Sequence, residues 1–352
     1  MRKSRKLAAL VLAGLMAASM TACGGNKAET SAETTATETE AAGPAESTEA
    51  KEAEETSEKA EAADGKTYKI GVLQLVQHAA LDKANEGFFA ALDEAGIKYE
   101  KDYQNASGDQ STCQTMAEKL VNEGNDLIFA IATPAAQAVA GATSDIPILL
   151  SAVTDPAASE LVESNEKPNC NVSGTSDLTP VKDQIDMIPK ILPEAKTVGL
   201  LYCNAESNSQ LQVEIAKEAC EAAGLEYKEY TISNSNELQT VVESMVGNVD
   251  VIYAPTDNMI AAGMSTVSMV ANENKIPTVV GEGGMVDEGG LVTYGIDYYQ
   301  LGYMAGEQAI DILVNGADIT TMPIGYLDAS KCELKINEET EKTLGIDLSV
   351  LK

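Results

Sequence analysis

The feature that most constrains the fold of this chain is an alternation of short apolar runs with amphipathic segments from residue 68 onward. Near-continuous apolar strands separated by helices are typical of parallel sheets covered on both faces. We therefore predict an α/β protein, and two such units fit its 352 residues. The predicted strands are 68–76, 126–132, 146–153, 197–202, 227–232, 249–254, 277–281 and 291–296, and the predicted helices are 81–96, a segment from Pro134, 208–224, 235–247 and 258–274.

The charge balance narrows the range of functions. The chain has 24 Lys and Arg against 55 Asp and Glu, a formal net charge of −31. Nucleic-acid binding needs clustered Lys and Arg, and so does electrostatic docking on anionic lipid. We expect neither nucleic acid nor a charged membrane surface as a partner.

The single histidine limits catalysis and metal binding. A metal site with several His ligands is excluded, and a Ser-His-Asp or Cys-His site would have to use His78. No GxSxG elbow, P-loop or GxGxxG fingerprint accompanies it. We expect His78 in a pocket wall or loop, and we predict no catalytic residue, no cofactor and no metal.

The first 23 residues predict an export signal. Residues 1–6 carry four positive charges, residues 7–18 are apolar, and small residues lead to Cys23. The apolar run is too short to span a bilayer. The order resembles a bacterial lipobox, whose Cys becomes the acylated N-terminus, although Met20 stands where Leu is usual. We predict a lipoprotein signal peptide over 1–22, lipidation at Cys23, and attachment to the extracytoplasmic face of the cell membrane through lipid only. An ordinary signal peptide is the alternative.

The next segment predicts a disordered acidic tether over residues 23–66. Residues 24–66 contain no Val, Ile, Leu, Met, Phe, Tyr or Trp, and they hold 12 acids and 4 bases. Such a segment cannot bury enough apolar area to offset the entropy lost on ordering. A charged helix over 49–62 is the competing interpretation.

Polar side chains collect where the predicted strands end, which is the edge at which open α/β sheets bind ligands. Thr133 and Thr256 stand at matching places, each between a strand and a helix. Thr is a good N-cap, and free N–H groups at a helix N-terminus favour an anion such as a carboxylate. Plain helix capping is the alternative. The other candidate ligand-binding residues at these edges are Gln74, Thr154, Asp155, Asn204, Ser207, Asn208, Asp257, Asn258, Glu282 and Asp297.

Carboxylates among hydroxyls and amides suit a zwitterion, and they also resemble the acid pairs of hydrolases. Several segments resemble a known family: IGVLQLVQHAALDKANEGF (70–88), DYQNASGDQST (102–112), IATPAAQA (131–138), SAVTDPAA (151–158), VGLLYCNAESNS (198–209), YAPTDN (253–258) and VTYGIDYYQLGYMAG (292–306). They resemble ABC-transporter substrate-binding lipoproteins of the tryptophan/tyrosine-uptake type, over essentially all of residues 68–327.

The resemblance implies a type I periplasmic-binding-protein fold, in which two Rossmann-like lobes with parallel sheets are joined by a hinge. It implies a small amino acid ligand, an aromatic one (Tyr, Trp or Phe), and delivery to an ABC permease and its ATPase subunit without enzymatic activity. The expected lobes are 67–174 with about 297–322, and 175–296 with about 323–352. The hinge crossings are expected near 172–177 and 291–298.

Within that cleft we expect Thr133, with Thr154 beside it, to receive the ligand carboxylate. We expect Asp257 and Asp297 to receive the ligand ammonium, with Asp155 and Glu282 as the remaining candidates. A ligand sensor or surface adhesin would use the same cleft, and a tethered hydrolase would rely on His78 and the carboxylates.

Overall fold

The computed structural model describes residues 65–328 and 331–352. The predicted signal peptide, the predicted lipidation site and nearly all of the predicted tether lie outside these residues. The described strands are β1 Thr67–Gln74, β2 Lys98–Asn105, β3 Leu127–Ile131, β4 Ile148–Val153, β5 Val172–Ser176, β6 Thr197–Cys203, β7 Glu226–Ile232, β8 Val251–Ala254, β9 Thr278–Val280, β10 Val292–Gly295 and β11 Glu333–Ile336.

Helices follow most of these strands. They are α1 Ala79–Glu94, α2 Gln110–Asn122, α3 Thr133–Ala142, α4 Val181–Ile191, α5 Ser207–Ala223, α6 Leu238–Met245, α7 Asn258–Ala262, α8 Met264–Glu273, α9 Gly283–Asp287, α10 Tyr298–Leu313 and α11 Glu338–Leu344. Among the described residues, no helix is both long and apolar enough to cross a membrane.

The strands form two sheets, one in each lobe. The first has the order β2-β1-β3-β4-β5, and all its pairs are parallel. The second has the order β11-β10-β9-β8-β6-β7, and only its β10–β11 pair is antiparallel. Every residue of β3 and β4 is buried, as expected of parallel strands covered on both faces. The predicted pair of α/β units is confirmed.

Some elements escaped the sequence analysis or were drawn too long. Strand β2 is polar and partly exposed because it lies at the edge of its sheet, so it lacks the apolar run that marks the inner strands. The helix expected over 258–274 is broken at Gly263 into α7 and α8. A Cβ at Gly263 would lie 2.2 Å from Leu238 Cδ1, so a larger residue here would have to displace the Leu238 side chain.

Helix α10 returns the chain to the first lobe and packs closely on α1. A Cβ at Gly302 would lie 1.9 Å from the carbonyl oxygen of Ala84, and one at Gly87 would lie 2.0 Å from that of Tyr299. The two helices therefore approach backbone to backbone. Past α10, Gly325 forms an isolated parallel bridge with Thr175 of β5, and β11 then joins the second sheet.

Candidate functional site

A small cavity lies between the two lobes, at the carboxyl ends of strands from both sheets. Ala152 and Thr154 reach it from the end of β4, and Thr256 to Asn258 reach it from the end of β8. Ligands of open α/β sheets bind at this edge. The residues that line the cavity are His78, Leu81, Ala152, Thr154, Asp177, Asn208, Thr256, Asp257, Asn258, Ala261, Glu282 and Tyr298.

Half of the sequence-predicted ligand residues line this cavity, and half do not. The lining ones are Thr154, Asn208, Thr256, Asp257, Asn258 and Glu282. The structure places Gln74, Thr133, Asp155, Asn204, Ser207 and Asp297 elsewhere. The structure therefore brings half of the predicted residues together at one cavity, and several of the others have partners elsewhere.

Buried Gln74 is held inside the first lobe. Its Nε2 donates to Asp82 Oδ1 at 2.8 Å and to the Val76 carbonyl at 2.9 Å. Asn204 is exposed in the loop between β6 and α5, and Ser207 is exposed as the first residue of α5. Ser207 lies at the lobe interface, where its Oγ is 3.5 Å from Gln137 Nε2 of α3.

The two threonines do not cap helices, so that part of the sequence interpretation was wrong. The N-cap of α3 is Ala132, with φ of 82°, and Thr133 is the first helical residue. The N-cap of α7 is Asp257, whose carboxylate accepts from Ile260 N, because a charged acceptor competes well for helix N–H groups. The hydroxyl of Thr256 donates instead to Gln212 Oε1 at 2.9 Å.

Backbone geometry at Ala152 shapes one wall of the cavity. Its φ is 56°, a left-handed value that is uncommon outside glycine, and the pairing of β4 with β5 shifts register between Leu150 and Val153. Irregularities of this kind often lie next to binding sites, where they redirect a side chain. Here the irregularity precedes Thr154, which also lines the cavity.

Four buried carboxylates lie at or directly behind the cavity, and three of them have both oxygens occupied. Asp257 Oδ1 accepts from Ile260 N, while its Oδ2 accepts from Cys203 N at 2.6 Å and from Ser209 Oγ at 2.7 Å. Glu282 accepts from Gly284 N and Met285 N at the start of α9. Burial raises the pKa of Asp257, and it raises the pKa of Glu282 to about 7.

Glu206 is the third of these carboxylates, and it holds two cavity-lining amides. Its Oε2 accepts from the side-chain amides of Asn208 and Asn258, and its Oε1 accepts from Met259 N at 3.2 Å. Burial, with the neighbouring charge of Asp257, raises the pKa of Glu206 to about 8. The carboxyl group thereby fixes the orientation of both amides.

Asp177 is the fourth carboxylate and differs from the others. Its Oδ2 accepts from the Tyr298 hydroxyl at 2.7 Å, and its Oδ1 is buried without a hydrogen-bond partner. Burial raises the pKa of Asp177 to about 6, against the lowering effect of hydrogen bonds from Tyr298 and Thr154. The Thr154 hydroxyl lies close enough to Asp177 to lower its pKa, but no protein group makes a hydrogen bond of good geometry to Oδ1.

His78 lies in the wall of the cavity, as the sequence analysis expected. Its Nε2 lies 3.3 Å from Asn258 Oδ1 across the lobe interface, and its Nδ1 is buried without a partner. Burial lowers the pKa of His78 to about 4, so the ring is neutral near pH 7. A neutral ring that donates from Nε2 presents Nδ1 as an acceptor.

Two of the expected ammonium acceptors lie outside the cavity and serve local turns. Asp297 is exposed, and its Oδ1 accepts from Tyr299 N and Gln300 N at the start of α10. Asp155 accepts from Ala157 N and Ala158 N in the loop after β4.

Sequence reasoning missed Asp177 and Tyr298 as cavity residues. The sequence identifies residues 172–177 (VSGTSD) only as an expected hinge crossing. Tyr298 lies in the family-like segment 292–306, which by itself gives this tyrosine no role. The signal for Asp177 is a carboxylate at the end of a buried strand, with no helix beginning directly after it. Such an acid is free of the capping role that Asp257, Glu282 and Asp297 perform.

Comparisons with known proteins agree on the kind of molecule. Residues 69–350 match the family described as ABC transporter substrate binding protein. A tyrosine-binding protein of Clostridioides difficile (strain R20291) is 41% identical over 350 residues, which cover 98% of this chain and 93% of that protein.

Solved structures confirm the predicted fold. An ABC domain from Streptococcus pneumoniae in complex with L-Trp has a TM-score of 0.78 and 39% identity, covering 81% of this chain and 98% of that one. A substrate binding protein with adhesive properties from Clostridium difficile, in a ligand-free, open structure, has a TM-score of 0.61 and 44% identity, covering 80% and 95%. The two-lobed α/β architecture is thus that of the type I periplasmic-binding proteins.

Proposed function

Because the chain belongs to the family of ABC transporter substrate-binding proteins, we propose that it binds a small aromatic amino acid between its lobes and delivers it to an ABC permease. The single observation that carries this proposal is the interlobe cavity with its unsatisfied acceptors. The family consists of binding proteins rather than enzymes, which removes the tethered hydrolase from consideration. The relatives that bind tyrosine and contain L-Trp favour Tyr, Trp or Phe as the ligand.

The chemistry of the cavity suits an amino acid. Its walls combine acids and amides with apolar or aromatic groups from Leu81, Ala152, Ala261 and Tyr298. A small ligand with one charged end and one apolar end fits this mixture, whereas a long or strongly anionic ligand does not.

Binding would proceed by closure of the lobes around the ligand. The chain is more identical to the open protein of Clostridium difficile, at 44%, than to the L-Trp complex, at 39%. Its structure is nevertheless more similar to the complex, with a TM-score of 0.78 against 0.61. A closed lobe arrangement in this chain would account for the reversal, which supports a hinge that moves between an open and a closed form.

The lobe interface in this structure is suited to reversible closure. It includes hydrogen bonds between Gln110 Nε2 and the Ala205 carbonyl at 2.7 Å, and between Gln212 Nε2 and Thr154 Oγ1 at 3.4 Å. Every ion pair found among the described residues joins groups within one lobe. Because the hydrogen bonds between the lobes are few and mostly neutral, the ligand can contribute a large part of the free energy of lobe closure.

Export and lipidation at Cys23 would keep the protein beside its permease. The basic, apolar and small-residue order before Cys23 supports this attachment, and the acidic segment over 24–66 would serve as the tether. The site of action would then be the extracytoplasmic face of the cell membrane.

Mass spectrometry of the small molecule that co-purifies with the protein tests the proposal. The protein would be expressed from its complete gene and extracted from membranes in detergent. We expect tyrosine, tryptophan or phenylalanine at close to one molecule per chain. A sugar or a nucleoside in that position would overturn the assignment.

Surface adhesion is a second candidate function. One observation favours it: a relative of 44% identity is a substrate binding protein with adhesive properties. Deleting the gene of its permease separates the two functions, because uptake of the amino acid would stop while adhesion would continue.

A further inference from the structure

Three buried acceptor atoms in the cavity have no hydrogen-bond partner in the protein. They are His78 Nδ1, Asp177 Oδ1 and Asn208 Oδ1, and all three residues line the same cavity. Asn208 directs its Nδ2 to Glu206 Oε2, which leaves its Oδ1 as the open atom. Buried acceptors without partners are costly, so three around one cavity indicate that a ligand with several donors completes them.

Charge singles out Asp177 within this set. Asp257, Glu282 and Glu206 have both carboxyl oxygens occupied by groups of the second lobe, whereas Asp177 has one open oxygen. No Lys or Arg is among the residues that line the cavity. When Asp177 is ionised, its charge therefore has no cationic partner inside the cavity.

We propose that these three atoms form an ammonium subsite with Asp177 as its charged member, and that a ligand ammonium bound there replaces the proton that Asp177 carries in mild acid. This inference rests on the proposed function, because it takes the ligand to be an amino acid. An ammonium has three N–H donors, which matches the three open acceptors. The ion pair forms as Asp177 releases its proton to solvent, and the ligand enters with its ammonium already charged.

The raised pKa of Asp177, about 6, supports this exchange. Below that pH the carboxyl group is mostly neutral, and an ammonium must displace its proton in order to bind. Above that pH no proton is displaced. The contribution of Asp177 to affinity should therefore be constant above about pH 6 and should fall by close to tenfold for each pH unit below it.

Other titratable groups of the cavity do not obscure the test if it is run at pH 5.5. His78, with a pKa lowered to about 4, is neutral there. Glu282 and Glu206, with pKa values raised to about 7 and 8, are protonated there. Asp257, whose pKa is also raised, has both oxygens bound by protein donors. The phenol of Tyr298 has a pKa well above its usual value and stays protonated.

Titration calorimetry at pH 5.5, in two buffers of different ionisation enthalpy, counts the protons released on binding. The probes are L-tyrosine and its des-amino analogue, 3-(4-hydroxyphenyl)propanoate. For the unmodified protein we expect about three quarters of a proton released with L-tyrosine and close to none with the analogue. Asp177→Asn should abolish the release with L-tyrosine and weaken its binding at least ~30-fold, while affinity for the analogue changes little.

Asp318→Asn is a matched control, because Asp318 is an exposed acid that caps a short 3₁₀ helix at Ile319–Thr321 away from the cavity. It should match the unmodified protein in both measurements. Unchanged binding of L-tyrosine by Asp177→Asn, or equal losses for both ligands, would overturn the subsite while leaving the proposed function intact. Failure of the unmodified protein to bind any aromatic amino acid would instead reject the proposed function.

Tyr298→Phe keeps the test decisive if Asp177→Asn does not fold. This variant keeps the ring and removes the hydroxyl that donates to Asp177 Oδ2. The ionised carboxylate loses a stabilising hydrogen bond, so its pKa should rise. The pH below which L-tyrosine affinity falls should rise with it, and an unchanged midpoint would contradict the exchange at Asp177.

Discussion

The hydroxyl of Tyr298 donates a 2.7 Å hydrogen bond to Oδ2 of Asp177, and this bond joins two crossings between the lobes. Asp177 follows β5, where the chain leaves the first sheet, and Tyr298 begins α10, where it returns to the first lobe. Both residues are buried and line the cavity. A ligand group bound at Asp177 would therefore lie beside both crossings between the lobes.

The buried charge at Asp177 should make folding stability depend on pH. Its pKa is raised from 3.8 to about 6 in the folded protein, so the neutral acid is favoured by folding. That contribution is fully present below about pH 4 and is lost as the pH rises through 6. Relative to Asp177→Asn, the free energy of unfolding should fall by roughly 2 kcal/mol between pH 4 and 7.

Denaturant unfolding of both proteins at a series of pH values measures this difference. Glu206 and Glu282 titrate in both proteins, so their effects cancel in the comparison. Parallel stability profiles for the two proteins between pH 4 and 7 would contradict an ionisable, buried Asp177.

Thr133 does not line the cavity in this structure, and its contact with the ligand carboxylate stays a prediction. Its Oγ1 is buried without a hydrogen-bond partner, and α3 faces the second lobe, since Gln137 of that helix lies 3.5 Å from Ser207 Oγ. A charge-assisted hydrogen bond contributes ~1.5–3 kcal/mol. Thr133→Ala should therefore weaken amino acid binding at least ~10-fold with little loss of folding stability.

Thr133→Ser is the matched control, because it keeps the hydroxyl and should keep most of the affinity. Calorimetry with the amino acid and thermal unfolding of each variant supply the two readouts. Equal affinity of Thr133→Ala and the unmodified protein would leave Thr133 with a structural role only.

The backbone contact between α1 and α10 predicts a large effect from one methyl group. Gly302→Ala places a Cβ 1.9 Å from the Ala84 carbonyl oxygen, so the helices must separate, at a cost of about 1–3 kcal/mol or more. Gly141→Ala adds the same group on α3, where nothing lies within 4 Å, and should stabilise by about 0.5–1 kcal/mol. Denaturant unfolding should give opposite signs for the two variants, and equal effects would refute the close contact.

Apolar runs predicted the inner strands well, because a parallel strand buried on both faces has no polar side to interrupt its pattern. The polar edge strand β2 has no such pattern. At the site, the sequence located the sheet edges that meet at the cavity but did not single out Asp177. Asp257, Glu282 and Asp297 all precede helices and cap them, whereas Asp177 has an open oxygen only because of how the lobes meet. A contact between distant segments leaves no local signal in the sequence.

Lipidation at Cys23 is predicted to attach the protein to the membrane. A single acyl chain holds a protein only marginally, and two or more chains hold it stably. Cys23→Ala should therefore release the protein or leave its signal peptide uncleaved. Cell fractionation and the mass of the mature N-terminus measure both outcomes, and normal processing with unchanged membrane retention would refute lipidation at this residue.

The central claim is that the cleft binds an aromatic amino acid, and titration calorimetry of the detergent-extracted protein at pH 7.5 tests it most directly. L-tyrosine, L-tryptophan and L-phenylalanine would be compared with L-leucine and D-glucose as small non-aromatic controls. We predict one-to-one binding of at least one aromatic amino acid, at least ~10-fold tighter than either control, because ring burial adds to the charged contacts. Binding of glucose alone, or of leucine as tightly as the aromatic amino acids, would contradict the account.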